Sequence, residues 1–160
     1  MKEAPFGQLP LLMCDGYVLG QSIAIVNSVA RRGHLLGESD KELDLGQMLI
    51  QEYNDIYDAL GRAKSTGNWV DAIELQLPKQ AAYLERLLLH NGTFTGRFLV
   101  GEACIFAALH LALDVAPKML DQTPNLRRFY EATKTLPQLQ AALAHYASCR
   151  QYFVPPQSSR

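Results

Sequence analysis

Apolar residues recur at steps of three and four along most of this sequence, and this spacing predicts helices. The longest such run follows Glu38-Ser39-Asp40. Its apolar face consists of Leu45, Met48, Leu49, Tyr53, Ile56, Tyr57 and Leu60. Residues 64–68 are polar and include a glycine, so they predict the loop that ends this helix.

Further helices follow along the chain. One begins near Trp69, with Pro78 starting or kinking a turn. The segment from Ala103 to Val115 is almost entirely apolar, which predicts a helix that is buried on all sides. Prolines in the first turn predict two more helices, which begin at Thr123-Pro124 and at Pro137.

A different pattern occupies the beginning of the chain. Leu11 to Cys14 and Tyr17 to Leu19 are typical of short strands, and the Asp15-Gly16 pair between them is a strong hairpin signal. Gln21-Ser22 then begins a helix, whose first N–H groups have no partner within the helix and attract anions. The sequence therefore predicts a mostly α fold that opens with a β-hairpin.

An ordered set of motifs in this region resembles the second half of the thioredoxin-like domain of cytosolic glutathione S-transferases, most closely the pi and sigma classes. The set comprises Pro5-Phe6-Gly7-Gln8-Leu9-Pro10, the Asp15-Gly16 turn and Gln21-Ser22. The likeness covers almost the whole chain. It implies a truncated thioredoxin-like β-hairpin and helix at residues 1–34, followed by an all-helical C-terminal domain at residues 35–160.

The resemblance implies that the loop before the first strand contacts glutathione. In the family the proline after Gln-Leu is cis, and the backbone beside it pairs with the cysteinyl part of glutathione. Gln8, Leu9 and Pro10 occupy these positions. The alternative is that the loop is only a retained element of the fold.

Three more residues match glutathione-binding positions of the family. Gln21 and Ser22 correspond to the pair that holds the γ-glutamyl carboxylate, and the alternative is helix capping by Ser22. Asp55 matches, by its spacing from Ser22, an acidic residue that reaches across the dimer to the γ-glutamyl amine. A solvated aspartate is the alternative for Asp55.

The resemblance also implies a homodimer. Phe6 matches an aromatic key that enters a hydrophobic pocket of the partner subunit, and Arg31 matches an interface arginine. Alternatively, Phe6 covers the local core of its own chain. Tyr53 and Tyr57 lie at helical spacing and either line a pocket for an apolar electrophile or pack in the core.

The catalytic residue of this chain is unknown. The family's catalytic tyrosine, serine or cysteine belongs to a strand, helix and strand that precede the Gln-Leu-Pro loop, and only five residues precede Phe6. We therefore expect a transferase-like protein that conjugates glutathione or a related thiol to electrophiles if a thiol-activating residue is supplied. The alternatives are a non-catalytic interaction protein and a truncated gene product. Glutathione is expected to bind no tighter than about millimolar.

The start of the buried helix also departs from the family. The family has Ser/Thr-x-x-Asp there, a capping box that satisfies the first N–H groups. Ile105 and Ala108 occupy these two places. Loss of a cap costs about 0.5–2 kcal/mol, and Thr95 and Glu102 are the polar residues nearby that can replace it.

Composition narrows the possible partners. The 160-residue chain is 48% hydrophobic and 19% charged with a net charge of −1, which gives no electrostatic reason to expect nucleic acid or a membrane surface. Neither a bilayer-spanning run nor a secretion signal is seen, so the expected location is cytoplasmic. Cys14, Cys104 and Cys149 form no CxxC motif and are expected to be free thiols. His110 and Asp114 lie one helical turn apart, but two ligands do not make a metal site.

Overall fold

The computed structural model describes residues 4–149. Its strands are β1 (Leu11–Cys14) and β2 (Tyr17–Gly20). Its α-helices are α1 (Ser22–Arg32), α2 (Asp40–Thr66), α3 (Trp69–Asp71), α4 (Leu77–Leu87), α5 (Val100–Leu113), α6 (Pro124–Lys134) and α7 (Gln140–Cys149). A π-helical segment, Ala72–Gln76, joins α3 to α4, and a 3-10 turn, Pro137–Leu139, precedes α7. The predicted fold class is confirmed: a thioredoxin-like hairpin and helix precede an all-helical part.

The β-hairpin forms where its turn sequence predicts it. Asp15 and Gly16 have φ angles of 50° and 81°, and positive φ at both positions is typical of the two-residue turn that matches the twist of a hairpin. The strands pair antiparallel, with Leu11 opposite Gly20 at the open end. Because α1 begins at Ser22, the open end of the hairpin lies directly before a helix N-terminus.

The predicted helix starts at prolines are confirmed. Pro78 lies in the first turn of α4, Pro124 begins α6, and Pro137 begins the turn that leads into α7. Proline is tolerated at 124 and 137 because the N–H groups of a first turn have no partner within the helix. Pro78 differs, because α4 continues without a break from the π-helical segment Ala72–Gln76.

The end of α2 differs from the prediction. Residues 64–66 are helical, so the loop predicted at 64–68 is wrong in its first part. Polar residues do not by themselves end a helix, and the Thr66 hydroxyl donates a hydrogen bond of 2.8 Å to the Arg62 carbonyl. The helix ends instead at Gly67, whose φ of 73° is the left-handed conformation common at helix C-termini.

The core-facing stripe of α2 is narrower than predicted. Leu49, Ile56 and Leu60 are buried, whereas Met48 and Tyr57 are exposed. The main packing partner of α2 is α5, so residues at the margins of the stripe remain accessible. Tyr57 is therefore accessible to a ligand. Of the two roles considered for it, this exposure favours the lining of a pocket over packing in the core.

α2 and α5 approach each other at a pair of glycines. A Cβ on Gly101 would lie 2.8 Å from Leu49 Cδ1 and 3.2 Å from the Cα of Gly46. Distances this short exclude a side chain at residue 101 unless the helices move apart. The two glycines therefore set how closely the central helices pack.

Two clusters of buried side chains stabilise the fold. The larger one joins α2, α4, α5 and α6 and includes Leu84 and Leu109. The smaller one consists of Ala30, Ile50, Val100 and Cys104, and it fixes α1 against α2 and α5. Tyr53 packs against both clusters.

The start of α5 depends on a buried carboxylate. Glu102 is 0% exposed. Its Oε1 accepts hydrogen bonds from the backbone N–H groups of Phe94 (3.2 Å) and Thr95 (2.9 Å) and from the Thr95 hydroxyl (2.7 Å). Its Oε2 accepts the N–H of Leu99, the residue before the helix, at 3.1 Å. Burial of a carboxylate is tolerated only with such partners.

This arrangement replaces the family's capping box. Both polar residues that the sequence offered, Thr95 and Glu102, take part in it. With Leu99 satisfied by Glu102, the helix begins at Val100, three residues before the apolar run that predicted it. Ile105 and Ala108, which occupy the family's capping positions, are buried in the core instead.

A second carboxylate organises the start of α2. Ser39 caps the helix and accepts the N–H of Glu42 at 3.3 Å, while Glu42 Oε2 accepts the N–H groups of Glu38 (2.8 Å) and Ser39 (3.1 Å). Arg97 donates to both Glu42 oxygens, at 2.8 and 3.1 Å. Hydrogen bonds from Arg97, then from the N–H groups of Glu38 and Ser39, lower the pKa of Glu42 from 4.5 to about 2.

We predict that Glu102→Gln lowers the free energy of unfolding by about 1–3 kcal/mol, because the amide nitrogen cannot accept the N–H and hydroxyl donors that the carboxylate satisfies. Urea titration followed by circular dichroism measures this change. The exposed Glu74 provides a matched control, and Glu74→Gln is expected to stay within about 0.5 kcal/mol of the wild type. Equal effects of the two substitutions would contradict the role given to Glu102.

The lowered pKa of Glu42 predicts a pH dependence of stability. Its contribution is complete above the unfolded-state value of 4.5 and is lost as the pH falls toward about 2, because the protonated group no longer pairs with Arg97. The stability difference between the wild type and Glu42→Gln is therefore expected to shrink over this range. Urea midpoints at neutral pH and at acidic pH measure it, and a difference that stays constant would show that the pairing contributes nothing.

Candidate functional site

The open end of the hairpin brings together the two motifs that the sequence singled out. Leu11 pairs with Gly20, Pro10 precedes Leu11, and Gln21 follows Gly20. Pro10 and Gln21 therefore leave the sheet side by side. A ligand that lies across this end meets the loop of residues 8–10 and the start of α1 together.

The loop of residues 8–10 is exposed. The Leu9–Pro10 peptide bond is cis, as the resemblance implies. Leu9 exposes 77% of its surface, and Gln8 and Pro10 are exposed as well. An exposed backbone next to a helix N-terminus provides hydrogen-bonding groups for an extended peptide-like ligand.

The N-terminus of α1 has no side-chain cap among the described residues. Gln21 is the cap residue, has φ of 70° and makes no capping hydrogen bond with its side chain. Ser22 is the first residue of the helix rather than its cap, which disfavours the capping alternative for Ser22. The first N–H groups of α1 and the positive end of its dipole therefore face a position suited to a carboxylate.

Asp55 lies on a different element from the other candidate residues. It is exposed on α2, and its Oδ1 accepts a hydrogen bond of 3.3 Å from Gln51, one turn earlier. Among the described residues, no hydrogen bond links Asp55 to Gln21 or Ser22. Within one chain, the structure thus brings the loop and the start of α1 together and leaves Asp55 apart.

The two candidate interface residues are exposed. Phe6 exposes 68% of its surface, although its ring lies 3.7 Å from the position that a Cβ on Gly20 would take. Phe6 therefore lies near Gly20 of its own hairpin without being covered by it. Arg31 points to solvent, whereas its neighbour Arg32 binds the hairpin turn through Asp15, at 2.8 Å.

Glu52 is a further acidic residue of α2, next to Asp55. Its Oε1 is buried and has no hydrogen-bond partner within the part of the chain that the structure describes. Burial, and then the charge of Asp55, raise the pKa of Glu52 above its usual value. A carboxylate with an unsatisfied oxygen on the same helix as Asp55 is a group that a neighbouring cation would stabilise.

A cavity of about 110 Å³ lies between α2, α3 and the end of α5. Its lining residues are Tyr57, Leu60, Gly61, Lys64, Trp69, Leu111 and Val115. Of the two tyrosines that the sequence offers as pocket residues, Tyr57 lines this cavity and Tyr53 does not belong to its lining. Residues 57, 60, 61 and 64 share one helical face, which is a sequence signal for the α2 wall. The predicted loop at 64–68 hides this signal, because it removes Lys64 from the helix.

The remaining reactive groups are placed in structural roles. Burial raises the pKa of the Cys104 thiol to about 11, so this cysteine is not an activated nucleophile. His110 Nδ1 lies 2.8 Å from the Tyr130 hydroxyl, and the Tyr146 hydroxyl donates to Asp114 at 2.5 Å.

Residues 4–149 contain no group of three or more potential metal ligands. None of the helices described is long and apolar enough to cross a membrane.

Comparisons with known proteins agree with this architecture. A family model described as glutathione S-transferase, C-terminal domain matches residues 57–145. Glutathione S-transferase P 1 of Xenopus laevis is 30% identical over 164 residues, which cover 96% of this chain and 76% of the relative. A glutathione S-transferase of Plasmodium yoelii yoelii is 27% identical over 151 residues, which cover 90% and 71%.

A solved structure gives the same result for the fold. The pi-class glutathione S-transferase of Onchocerca volvulus superposes with a TM-score of 0.85 at 25% sequence identity. The superposition covers 98% of this chain and 78% of the other. The similarity therefore extends from the hairpin through the helical part.

Proposed function

Because the chain belongs to the cytosolic glutathione S-transferase family, with pi-like relatives, we propose that it binds glutathione at the open end of the hairpin. The observation that carries this proposal is the pairing of Leu11 with Gly20, which sets the exposed loop beside the uncapped start of α1. In the proposed complex the backbone at Leu9 pairs with the cysteinyl part. Gln21 and Ser22 hold the γ-glutamyl carboxylate, aided by the helix dipole.

The proposed reaction is conjugation of the glutathione sulfur to an apolar electrophile. A thiol is a weak nucleophile until it loses its proton, since the thiolate is the reacting species. The residues assigned here bind and orient the thiol, and the sulfur-activating group is supplied from outside this set. We propose that the electrophile occupies the cavity beside Tyr57, whose apolar walls favour such a compound.

We predict that glutathione binds with a dissociation constant in the millimolar range, about −4 kcal/mol, because the assigned contacts are few and exposed to solvent. Isothermal titration calorimetry measures it. Ser22→Ala and Gln21→Gly are expected to weaken binding severalfold, and glycine at residue 21 suits the positive φ there. Cysteinylglycine, which lacks the γ-glutamyl carboxylate, is expected to bind more weakly than glutathione.

The exposed Ser65 on α2 provides the matched control, and Ser65→Ala is expected to leave binding unchanged. Equal affinity of the wild type and Ser22→Ala for glutathione would contradict the proposed site. The conjugation step has a separate test, the rate of reaction with a chloronitrobenzene. Turnover that saturates with glutathione and falls in Ser22→Ala supports it, whereas the uncatalysed rate at every glutathione concentration contradicts it.

We also propose that two copies of the chain associate through α1 and α2, with Phe6 as an anchor. Three observations support this: Phe6 and Arg31 are exposed, and Glu52 on α2 keeps an oxygen without a partner among the described residues. A cationic side chain from a second copy would satisfy that oxygen. Asp55 on the same helix would then face the glutathione of the second copy.

We predict a dimer at tens of micromolar and a weakened dimer in Phe6→Ala, because removal of the ring takes away apolar surface that association would bury. Sedimentation velocity measures both. Leu75 is a comparably exposed apolar residue on the π-helical segment, and Leu75→Ala is expected to leave association unchanged. A wild type that stays monomeric, or a Phe6→Ala variant that associates as tightly, would contradict the proposed interface.

We propose that residues 1–34 form the glutathione-site part and residues 35–160 the helical domain. Ala30 of α1 packs against Ile50 and Val100, so the two parts share a buried contact. The cysteines at 14, 104 and 149 are unpaired thiols, which supports a reducing compartment such as the cytoplasm.

A further inference from the structure

An open cleft of about 830 Å³ lies between α5, α6 and α7. None of the residues assigned above to glutathione, the electrophile or the dimer lines it. A volume of this order is typical of sites for small organic molecules. Its aromatic and charged lining residues are His110, Asp114, Tyr130, Glu131, Lys134 and Tyr146. The cleft is therefore large enough for a ligand and carries groups that can recognise one.

Aromatic rings from all three helices form one wall of the cleft. Tyr130 stacks with Phe106 and with His110, at distances of 5.5 and 6.0 Å between ring centroids. The Tyr146 ring meets His110 in a T-shaped arrangement at 4.9 Å, and the Tyr146 hydroxyl donates a hydrogen bond to Asp114. These contacts hold the rings in place, so the wall is formed before a ligand binds.

Negative charge lies beside these rings. The carboxylates of Glu131 and Asp114 line the cleft together with the ammonium group of Lys134. Burial, and then the charges of Glu131 and Asp114, raise the pKa of Tyr130 above its usual value of 10.0. A carboxylate raises the pKa of a phenol because it makes the loss of a proton less favourable. The two carboxylates therefore create a negative potential beside Tyr130, which favours a cation.

The side chain of Lys134 shows how the aromatic wall receives a cation. Its Nζ lies 5.7 Å from the centroid of the Tyr130 ring, within the range of a cation–π contact. Lys134 is exposed, so its flexible side chain is able to turn away into solvent. The position of its ammonium group therefore marks a place where the positive charge of a ligand would meet the ring.

We propose that this cleft binds an organic cation of the quaternary ammonium class. The cation takes the place of the Lys134 ammonium group on the Tyr130 ring and lies near the carboxylate of Glu131. A quaternary ammonium carries its charge on alkyl groups and donates no hydrogen bond, so aromatic faces suit it. Apolar substituents of the ligand lie against Leu113 and Leu143, which also line the cleft. The inference is independent of the proposed transferase function, because glutathione and turnover have no part in it.

Three probes that share a benzyl group test the preference for a cation. Benzyltrimethylammonium carries the positive charge, dimethylbenzylcarbinol is a neutral analogue of nearly the same shape, and phenylacetate is an anion. Ligand-observed NMR titrations of the full chain measure the three dissociation constants. The cation is expected to bind about fivefold more tightly than the alcohol, as for a cation–π contact, and phenylacetate is expected to bind most weakly. Equal affinity for cation and alcohol, or tighter binding of phenylacetate, would overturn the proposal.

Two substitutions on α6 are expected to change the affinity for the cation in opposite directions. Lys134→Met keeps the apolar stem and removes the competing ammonium group, so the cation is expected to bind about threefold more tightly. Glu131→Gln removes an attractive charge and is expected to weaken binding of the cation about threefold, as for an exposed ion pair. Neither substitution is expected to change the affinity for the alcohol.

Matched controls exclude an effect of the overall charge of the protein. Lys118 and Glu74 are exposed and lie outside the cleft, so Lys118→Met and Glu74→Gln are expected to bind the cation as the wild type does. The proposal would be overturned if Lys134→Met bound the cation no more tightly than Lys118→Met. It would also be overturned if Glu131→Gln bound the cation as tightly as Glu74→Gln.

Variants of Tyr130 test the role of the ring. Tyr130→Phe keeps the ring and is expected to retain the preference for the cation over the alcohol. Tyr130→Leu is expected to lose this preference. Because Tyr130 is buried, circular dichroism establishes first that each variant is folded, and the substitutions at Lys134 and Glu131 decide the matter if Tyr130→Leu is not. A folded Tyr130→Leu variant with the preference of the wild type would overturn the proposal.

Competition with glutathione tests the location of the site. Because the candidate glutathione residues do not line the cleft, excess glutathione is expected to leave the affinity for benzyltrimethylammonium unchanged. Displacement of the cation by glutathione would overturn the placement of the site. If glutathione fails to bind while the cation preference and its response to Lys134→Met persist, the proposed function fails and this inference is supported.

Discussion

The buried carboxylate of Glu102 is the interaction on which the centre of the molecule depends. It satisfies donors from Phe94, Thr95 and Leu99, and so it fixes the loop that leads into α5. The next residue, Val100, donates its N–H to the Leu35 carbonyl at 2.9 Å, which ties the same point to the segment between α1 and α2. Gly101 then touches α2 directly. The carboxylate thus fixes the point in the chain, residues 99–101, at which the loop before α5, the segment between α1 and α2, and α2 itself come together.

Glutamates satisfy the starts of other helices as well. Glu42 acts within the first turn of α2. Glu85 on α4 accepts the N–H groups of Asn125 (3.1 Å) and Leu126 (2.7 Å) at the start of α6, where the cap residue Thr123 makes no side-chain capping bond. A negative group at a helix N-terminus also interacts favourably with the helix dipole. α1 differs from these helices, because no side chain of the described residues caps its N-terminus. It is also the helix that begins at the candidate glutathione site.

The sequence predicted features that depend on neighbouring residues. The Asp15-Gly16 turn requires positive φ, and the residues that adopt positive φ readily are short and polar or glycine, so the hairpin was predictable. The predicted end of α2 was wrong, because a run of polar residues indicates exposure to solvent and exposure alone does not end a helix. Residues 64–66 are helical, and the helix ends at Gly67 in its left-handed conformation.

The candidate sites also differ in whether neighbouring residues in the sequence are enough to predict them. Residues 8–10 and 21–22 were found as motifs, and their proximity follows from local strand pairing. The cavity joins α2 and α3 to Leu111 and Val115, which are more than forty residues away in the sequence. Such a combination requires the packing of α2 on α5, and no local pattern contains that information. The unsatisfied oxygen of Glu52 likewise becomes visible only when burial is known.

The contact between Glu85 and the start of α6 has a consequence for the order of folding. Its hydrogen bonds join residues 40 and 41 positions apart in the chain. Contacts between distant residues require closure of the intervening chain, whereas the turns of a helix form from neighbouring residues. We therefore expect the first turn of α6 to gain this partner only when α4 packs against it, after the rest of the helix can form.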